Sequence, residues 1–361
     1  MKINVAMARS NSSPFTIEEV ELDEPRYDEV IVKIAGVGLC HTDLAMKEAF
    51  PVFPLVLGHE GSGVVEKVGS QVTRVKPGDK VTISYRSCGK CRQCLEGVPY
   101  YCANFSQYNS TGTRADGSFT IKNDDGPVFA NFLGQSSFGT YSLTNESQIV
   151  KVPDDIPLEL LGPLGCGIQT GAGAVINSLG VRAGSSIAIF GTGSVGLSAV
   201  MAAAVSGCTK IIAVDVNDER LKKSQELGAT HVVNSKKHNP VSVIHDICGG
   251  AGSDFALDTS ANPGVMRQAL ESVYKNGTCG WLGVYSGDIA IDYISILNGR
   301  KIVGIMAGSS ICDVFIPSLI ELYQAGKLPF DKFIRKYKLS DINEAVADSH
   351  SGSTIKAVLI P

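Results

Sequence analysis

Four cysteines crowd one short stretch: Cys88, Cys91, Cys94 and Cys102, in the pattern C-x2-C-x2-C-x7-C. Thiolates at this spacing can converge on one tetrahedral Zn2+, and a four-sulfur site is closed, with no vacant position for a substrate. Chemistry on a substrate must then lie elsewhere. Two other readings compete. Iron–sulfur proteins also use C-x2-C-x2-C, but the bacterial run continues as C-x3-C-P; here the fourth cysteine comes eight positions on. Four unrelated core cysteines would sit in apolar helix or strand, whereas SCGKCRQCLEGVPYYC is polar and Gly-rich.

A second chemical signal is Gly191-Thr192-Gly193-Ser194-Val195-Gly196. Alone, G-x-G-x-x-G is weak evidence, but here the apolar strand IAIF precedes it and an Ala-rich helical stretch follows. Asp215 ends the next strand, 19 residues after Gly196. That is the dinucleotide arrangement: glycines for the tight turn and close backbone approach, a helix N-terminus for the pyrophosphate, an acid for the ribose. Asp215 would accept from ribose hydroxyls and repel a 2'-phosphate, which favours NAD over NADP. The bland alternative is a Gly-rich turn that binds nothing. Arg220 lies either near the same ribose or on a solvated helix face.

A third set is scattered. Cys40 opens Cys40-His41-Thr42-Asp43, His59-Glu60 sits in GHEGSGVVEKVG, and Cys166 sits in GPLGCGIQTGAGAV. Two cysteines, one histidine and a water form the ligand set of a catalytic zinc with one open position. Such a zinc polarises a carbonyl and lowers the pKa of a hydroxyl. Spacing alone does not select these three among ten cysteines and six histidines. The remaining singles, Cys208, Cys248, Cys279 and Cys312, read as buried free thiols.

These residues need elements to hold them. The first ~150 residues are β-rich, with runs such as EVIVKIAGVG and DKVTISY between Gly, Pro and Asp turn signals. From about 185 strands alternate with helices: IAIF, IIAVD, VVN and DFALD as strands, with helical patterns near 240–247 and 263–274. That alternation implies βαβ units and a parallel sheet. A tail from about 305 holds the helical DVFIPSLIELYQAGK and a last strand, IKAVLI. At 361 residues the chain suits two domains. Hydrophobic content of 44% against 19% charged makes it globular, and a net charge of -4 offers no footprint for nucleic acid. No apolar run reaches the roughly 18 residues of a membrane span. MKINVAMARSNSSPF lacks the apolar core of a signal peptide, so a cytoplasmic location is expected.

Together, GHE with its following G-x-G-x-V, the four-cysteine lobe and the Cys166 segment resemble the zinc-dependent medium-chain alcohol dehydrogenases, from about residue 20 to the C-terminus. CHTDL, SCGKCRQC, FLGQSSFGTY and LGPLGCGIQTGAGAV look most like the aryl-alcohol (benzyl alcohol) and geraniol dehydrogenase branch. The resemblance implies an α/β chain. A GroES-like β-rich catalytic domain (1–160 with 306–361) would carry an inserted Rossmann domain, a doubly wound parallel sheet (161–305). It implies two zinc ions and NAD, and reversible oxidation of a primary aromatic or allylic alcohol to its aldehyde. Cys40, His59 and Cys166 would hold the catalytic zinc, with Cys88, Cys91, Cys94 and Cys102 holding the structural one. Glu60 would lie behind the metal, able to approach it during ligand exchange. Asp43 would orient His59, and Thr42 would pass the substrate proton on. Thr170 would pack on the nicotinamide, and Lys356 and His41 would reach the pyrophosphate. Phe132, Leu133 and Val284 would wall the substrate pocket. One departure is Ala45, followed by Met46, where many members end the proton relay with a histidine. The proton would leave through a cofactor ribose and water, or through His41. Pairing through the edge 280–304 would give a homodimer or homotetramer. Two rivals remain: a dehydrogenase of aliphatic alcohols or polyols in the same superfamily, and a non-catalytic structural relative.

Overall fold

In the computed structural model, which describes residues 1–361, the chain divides into two compact units. The first comprises Met1–Cys166, Ile311–Ser318 and Asp331–Pro361; the second comprises Gly167–Ser310 and Leu319–Phe330.

The first unit contains a five-stranded and a seven-stranded sheet. The strand Glu29–Gly38 reads EVIVKIAGVG, nearly all apolar, because both its faces are buried: Val30, Ile31, Val32 and Val37 have no exposed surface. It pairs antiparallel with Gly61–Val68 along one edge. Tyr141–Asn145 and, at Val37 and Gly38, the last strand Lys356–Ile360 take the other edge. Gly61–Val68 pairs in turn with Lys80–Ile83. His59 and Glu60 therefore enter a sheet whose neighbours come from both ends of the chain.

The second unit is built on a six-stranded parallel sheet. Its order is His231–Asn234, Lys210–Asp215, Ser186–Phe190, Ser253–Asp258, Val273–Trp281, Lys301–Gly304. This is the doubly wound arrangement, reversing direction at Ser186–Phe190, beyond whose carboxyl end a ligand site is expected. SIAIF is buried along its whole length, as a strand covered on both faces must be. Three of the following helices begin with an asparagine cap: Asn217, Asn239 and Asn262 each accept from two first-turn amides. The helix expected near 263–274 ends at Ser272, and a strand starts at once at Val273, whose side chain is fully buried.

Candidate metal centres and active site

The loop lobe brings the sulfurs of Cys88, Cys91, Cys94 and Cys102 within 4.8 Å of one another. Amides of Cys88, Cys91 and Ala103 donate to the sulfurs of Cys102, Cys88 and Cys91 at 3.3, 3.3 and 3.5 Å. Such bonds favour thiolate. Burial opposes ionisation, yet the amides of Lys90 and Cys91 bring the Cys88 thiol down to about 6. Burial and the neighbouring Cys91 push Cys94 up to about 12. Four sulfurs this close cannot all ionise without a cation among them. The lobe hangs on Asn109, fully buried, whose side chain accepts from the Arg86 amide at 2.9 Å and donates to the Arg86 carbonyl at 2.8 Å. Replacing Cys91 by Ser is expected to lower the melting temperature or impair assembly first and chemistry second. A stable Cys91→Ser protein with a specific loss of catalytic activity, measured by steady-state rates beside a melting curve, would contradict that division.

The second cluster is buried. Ligand atoms of Cys40, His59, Glu60 and Cys166 lie within 4.8 Å of one another. Cys40 caps the helix His41–Ala49, and its amide donates to Asp43 Oδ2 at 3.0 Å. The other oxygen of Asp43 accepts from the Gly58 amide at 3.0 Å and from His59 Nδ1 at 2.8 Å. One carboxylate with no exposed surface thus joins the two ligand-bearing segments. With the proton of His59 on Nδ1, facing Asp43, Nε2 keeps a free lone pair. That nitrogen is buried and has no hydrogen-bond partner. A buried imidazole nitrogen without a partner, beside two cysteine sulfurs, suits a zinc ion. The two thiols share one proton: a hydrogen bond with Cys166 holds Cys40 well below the usual thiol range, while Cys40 and burial drive Cys166 well above it. Phe132 is 3% exposed and stands edge-on to the His59 ring, with centroids 5.4 Å apart and planes at 89°. Thr42 Oγ1 lies 3.7 Å from Cys40 Sγ.

Lys356 does something other than expected. Its ammonium donates to Glu60 Oε1 at 3.0 Å, to Glu60 Oε2 at 2.9 Å and to the Leu39 carbonyl at 3.1 Å. A lysine has three donors, and all three are engaged, so none is left for a pyrophosphate. The strand Lys356–Ile360 turns this side chain inward, where it is 2% exposed. Gly38 makes room: a Cβ there would stand 1.9 Å from Glu60 Oε2. Burial opposes the charge on Lys356, but Glu60 outweighs it and holds the pKa above the usual lysine range.

In the second unit, Gly191 takes φ +90° and a Cβ on Gly196 would sit 1.8 Å from the Gly191 carbonyl oxygen, so both positions require glycine. A Cβ on Gly193 would meet nothing within 4 Å. Gly193 caps the helix Ser194–Val205, whose free first-turn amides suit a phosphate. Asp215 is already engaged: Thr192 donates to Oδ2 through N and Oγ1, both at 2.7 Å, and the Val216 and Asn217 amides donate to Oδ1 at 2.7 and 3.0 Å. It locks the glycine loop to the end of its strand. Arg220 Nε is buried without a partner. Thr170 lies half-buried on the helix Gly167–Gly173, and His41 is exposed. Leu133 is half-buried at φ +46°, and Val284 is 83% exposed rather than enclosed within its unit.

Residues 26–154 match the alcohol dehydrogenase GroES-like domain, and residues 194–325 match the zinc-binding dehydrogenase domain. The chain is 42% identical to geraniol dehydrogenase of Castellaniella defragrans over 98% of its own length and 96% of that protein's. It belongs to the zinc-dependent medium-chain alcohol dehydrogenase family. The crystal structure of an alcohol dehydrogenase zinc-binding domain protein from Burkholderia ambifaria superposes with a TM-score of 0.97 at 46% identity, covering 100% of this chain and 99% of that one. Benzyl alcohol dehydrogenase of Acinetobacter calcoaceticus gives 0.96 at 42%, with the same coverage. Membership brings zinc and a nicotinamide dinucleotide with it, and the orphaned Nε2 and the open face of Gly193 fit both.

Three features of this dehydrogenase escaped sequence reasoning. Gln135, 2% exposed, donates to the His59 carbonyl at 2.9 Å and accepts from the Gly61 amide at 3.2 Å. Gln148 holds the Leu133 carbonyl at 2.9 Å. Ser62, Thr82 and Ser84 carry fully buried hydroxyls on or beside two paired strands. In VTIS the hydroxyl residues alternate with Val81 and Ile83, which reads as a solvated face; here both faces are covered.

Proposed function

We propose that this chain is an NAD-linked dehydrogenase of primary aromatic and allylic alcohols, of the benzyl alcohol and geraniol type, carrying one catalytic and one structural zinc. The observation that carries the reading is the buried, partnerless Nε2 of His59 beside Cys40 and Cys166. When bound, zinc supplies a Lewis acid for the substrate oxygen and NAD supplies the hydride acceptor. The protein does the rest. Cys40, His59 and Cys166 offer three ligands and leave a fourth position open. Asp43 keeps the His59 proton on Nδ1. Thr42, beside Cys40, would hold the hydroxyl proton of the alcohol and pass it on, and with Ala45 in place of a histidine His41 would be the side chain available to carry it out. Phe132 keeps the metal side of the pocket apolar, which suits an aromatic or allylic carbinol.

The acid Asp215, at the end of the strand after the glycine loop, supports NAD over NADP, because a carboxylate there would repel a 2'-phosphate. The exposed Val284, Tyr293, Ile294 and Leu297, in the stretch of chain that leads into the edge strand Lys301–Gly304, support a homodimer or homotetramer. No helix is long and apolar enough to cross a membrane; ten cysteines without a disulfide fit a reducing cytoplasm. A panel of benzyl alcohol, geraniol, ethanol and sorbitol, each with NAD and NADP, tests the reading. The expected result is a preference of at least about tenfold in kcat/KM for the first two, which is ~1.4 kcal/mol of transition-state discrimination. A preference for sorbitol would contradict it.

A further inference from the structure

Cys166 ends a segment, Leu158–Cys166, that forms no strand and passes through two short 3-10 turns, Leu158–Leu160 and Gly162–Gly165. Such a segment has no ladder to fix its register, so its anchors decide where the thiol stands. Three buried hydroxyls supply them. Ser62 Oγ donates to the Leu158 carbonyl at 2.7 Å, Thr82 Oγ1 to the Leu161 carbonyl at 3.0 Å, and Ser84 Oγ to the Gly165 carbonyl at 2.7 Å. The last carbonyl belongs to the residue just before Cys166. The segment lies directly on the strands beneath it. A Cβ on Gly162 would meet the Glu60 carbonyl oxygen at 2.1 Å, and one on Gly165 would meet the Ile83 carbonyl oxygen at 2.1 Å.

Ser84 does more than its two companions. Its carbonyl accepts from Gln148 Nε2 at 2.9 Å and from Gln135 Nε2 at 3.3 Å. Gln135 Nε2 also donates to the His59 carbonyl at 2.9 Å. One residue therefore ties the backbone before Cys166 to the backbone of His59. The Cys312 thiol, 3.1 Å from Ser84 Oγ, donates to it and helps aim its proton at Gly165.

We propose that Ser84 is a positioning residue for the catalytic metal centre: through Gly165 and Gln135 it sets the separation of Cys166 from His59, with Thr82 and Ser62 registering the same segment. This rests on the zinc reading of Cys40, His59 and Cys166. Metal ligands must stand within about 0.2 Å of their proper distances. Losing an outer partner of a ligand commonly weakens metal binding about 10–100-fold.

Competition with a chromophoric chelator tests this on the full-length zinc protein, comparing wild type with Ser84→Ala, Ser84→Thr and Thr82→Val. The four-cysteine zinc in the same molecule is the reference. Wild type is expected to hold two zincs. Ser84→Ala is expected to hold the catalytic one about 10–100-fold less tightly, leaving the reference zinc unchanged. Cobalt substituted at the catalytic site should show shifted ligand-field bands. Ser84→Thr, which keeps the hydroxyl, should restore both readings, and Thr82→Val should move them the same way by less. A Ser84→Ala protein with a lower melting temperature but wild-type affinity and cobalt spectrum would overturn the proposal, since the hydroxyl would then serve the fold alone. If Ser84→Ala does not fold, Thr82→Val decides, and wild-type values in it overturn the proposal. A wild-type protein with a single zinc would instead overturn the zinc reading, and this inference with it.

Discussion

His59→Ala is expected to lower kcat/KM for benzyl alcohol by at least about a thousandfold, which is roughly 4 kcal/mol of transition-state stabilisation. The ring is 2% exposed and supplies the one nitrogen in its cluster. Without it two sulfurs remain beside Glu60, and the centre loses the ligand that Asp43 orients. The fold should survive better than the chemistry. Asp43 keeps its bonds from the Cys40 and Gly58 amides at 3.0 Å each. Gln135 grips the backbone at residue 59, not the side chain. The check is steady-state kinetics beside a melting curve. Near-normal turnover in a folded variant would remove His59 from the reaction.

Lys356→Met is expected to destabilise the zinc-loaded protein by about 3–5 kcal/mol, the range for breaking a buried ion pair from one side. Glu60 has no exposed surface, and in the variant both its carboxylate oxygens lose the ammonium that faces them. Its carboxyl is already pushed up by burial, with Lys356 working against that rise. Adding Glu60→Gln removes the stranded charge, so the double variant should be more stable than the sum of the two single changes predicts. Denaturant titration of the four proteins measures the coupling. A Lys356→Met protein of unchanged stability but greatly raised KM for NAD would return this lysine to the pyrophosphate.

What could be read from the sequence depended on how local each feature was. The four-cysteine lobe is legible because its ligands fall within fifteen residues. The glycine loop is legible because strand, loop, helix and acid follow in order. Cys40, His59 and Cys166 lie too far apart for spacing to join them, and only the resemblance singled them out. Lys356 shows the opposite failure. A basic residue near the end of the chain matches a phosphate contact by position, but the direction of its side chain depends on Gly38 and Glu60, some three hundred residues away. Ser62, Thr82 and Ser84 stayed invisible because alternation cannot tell a solvated face from one covered by a segment from another part of the chain. The end of the helix at Ser272 is hidden in the sequence for a related reason. Val273 continues the amphipathic pattern, but its backbone pairs with Ser253 at the edge of a bulge.

The reactive metal is expected on Cys40, His59 and Cys166, apart from the closed four-cysteine lobe. Zinc per chain, measured on wild type and on Cys40→Ala after the same dialysis, tests it most directly. Two zincs are expected in the first protein and one in the second, with the lobe still loaded. One zinc in both, or two in both, would contradict it.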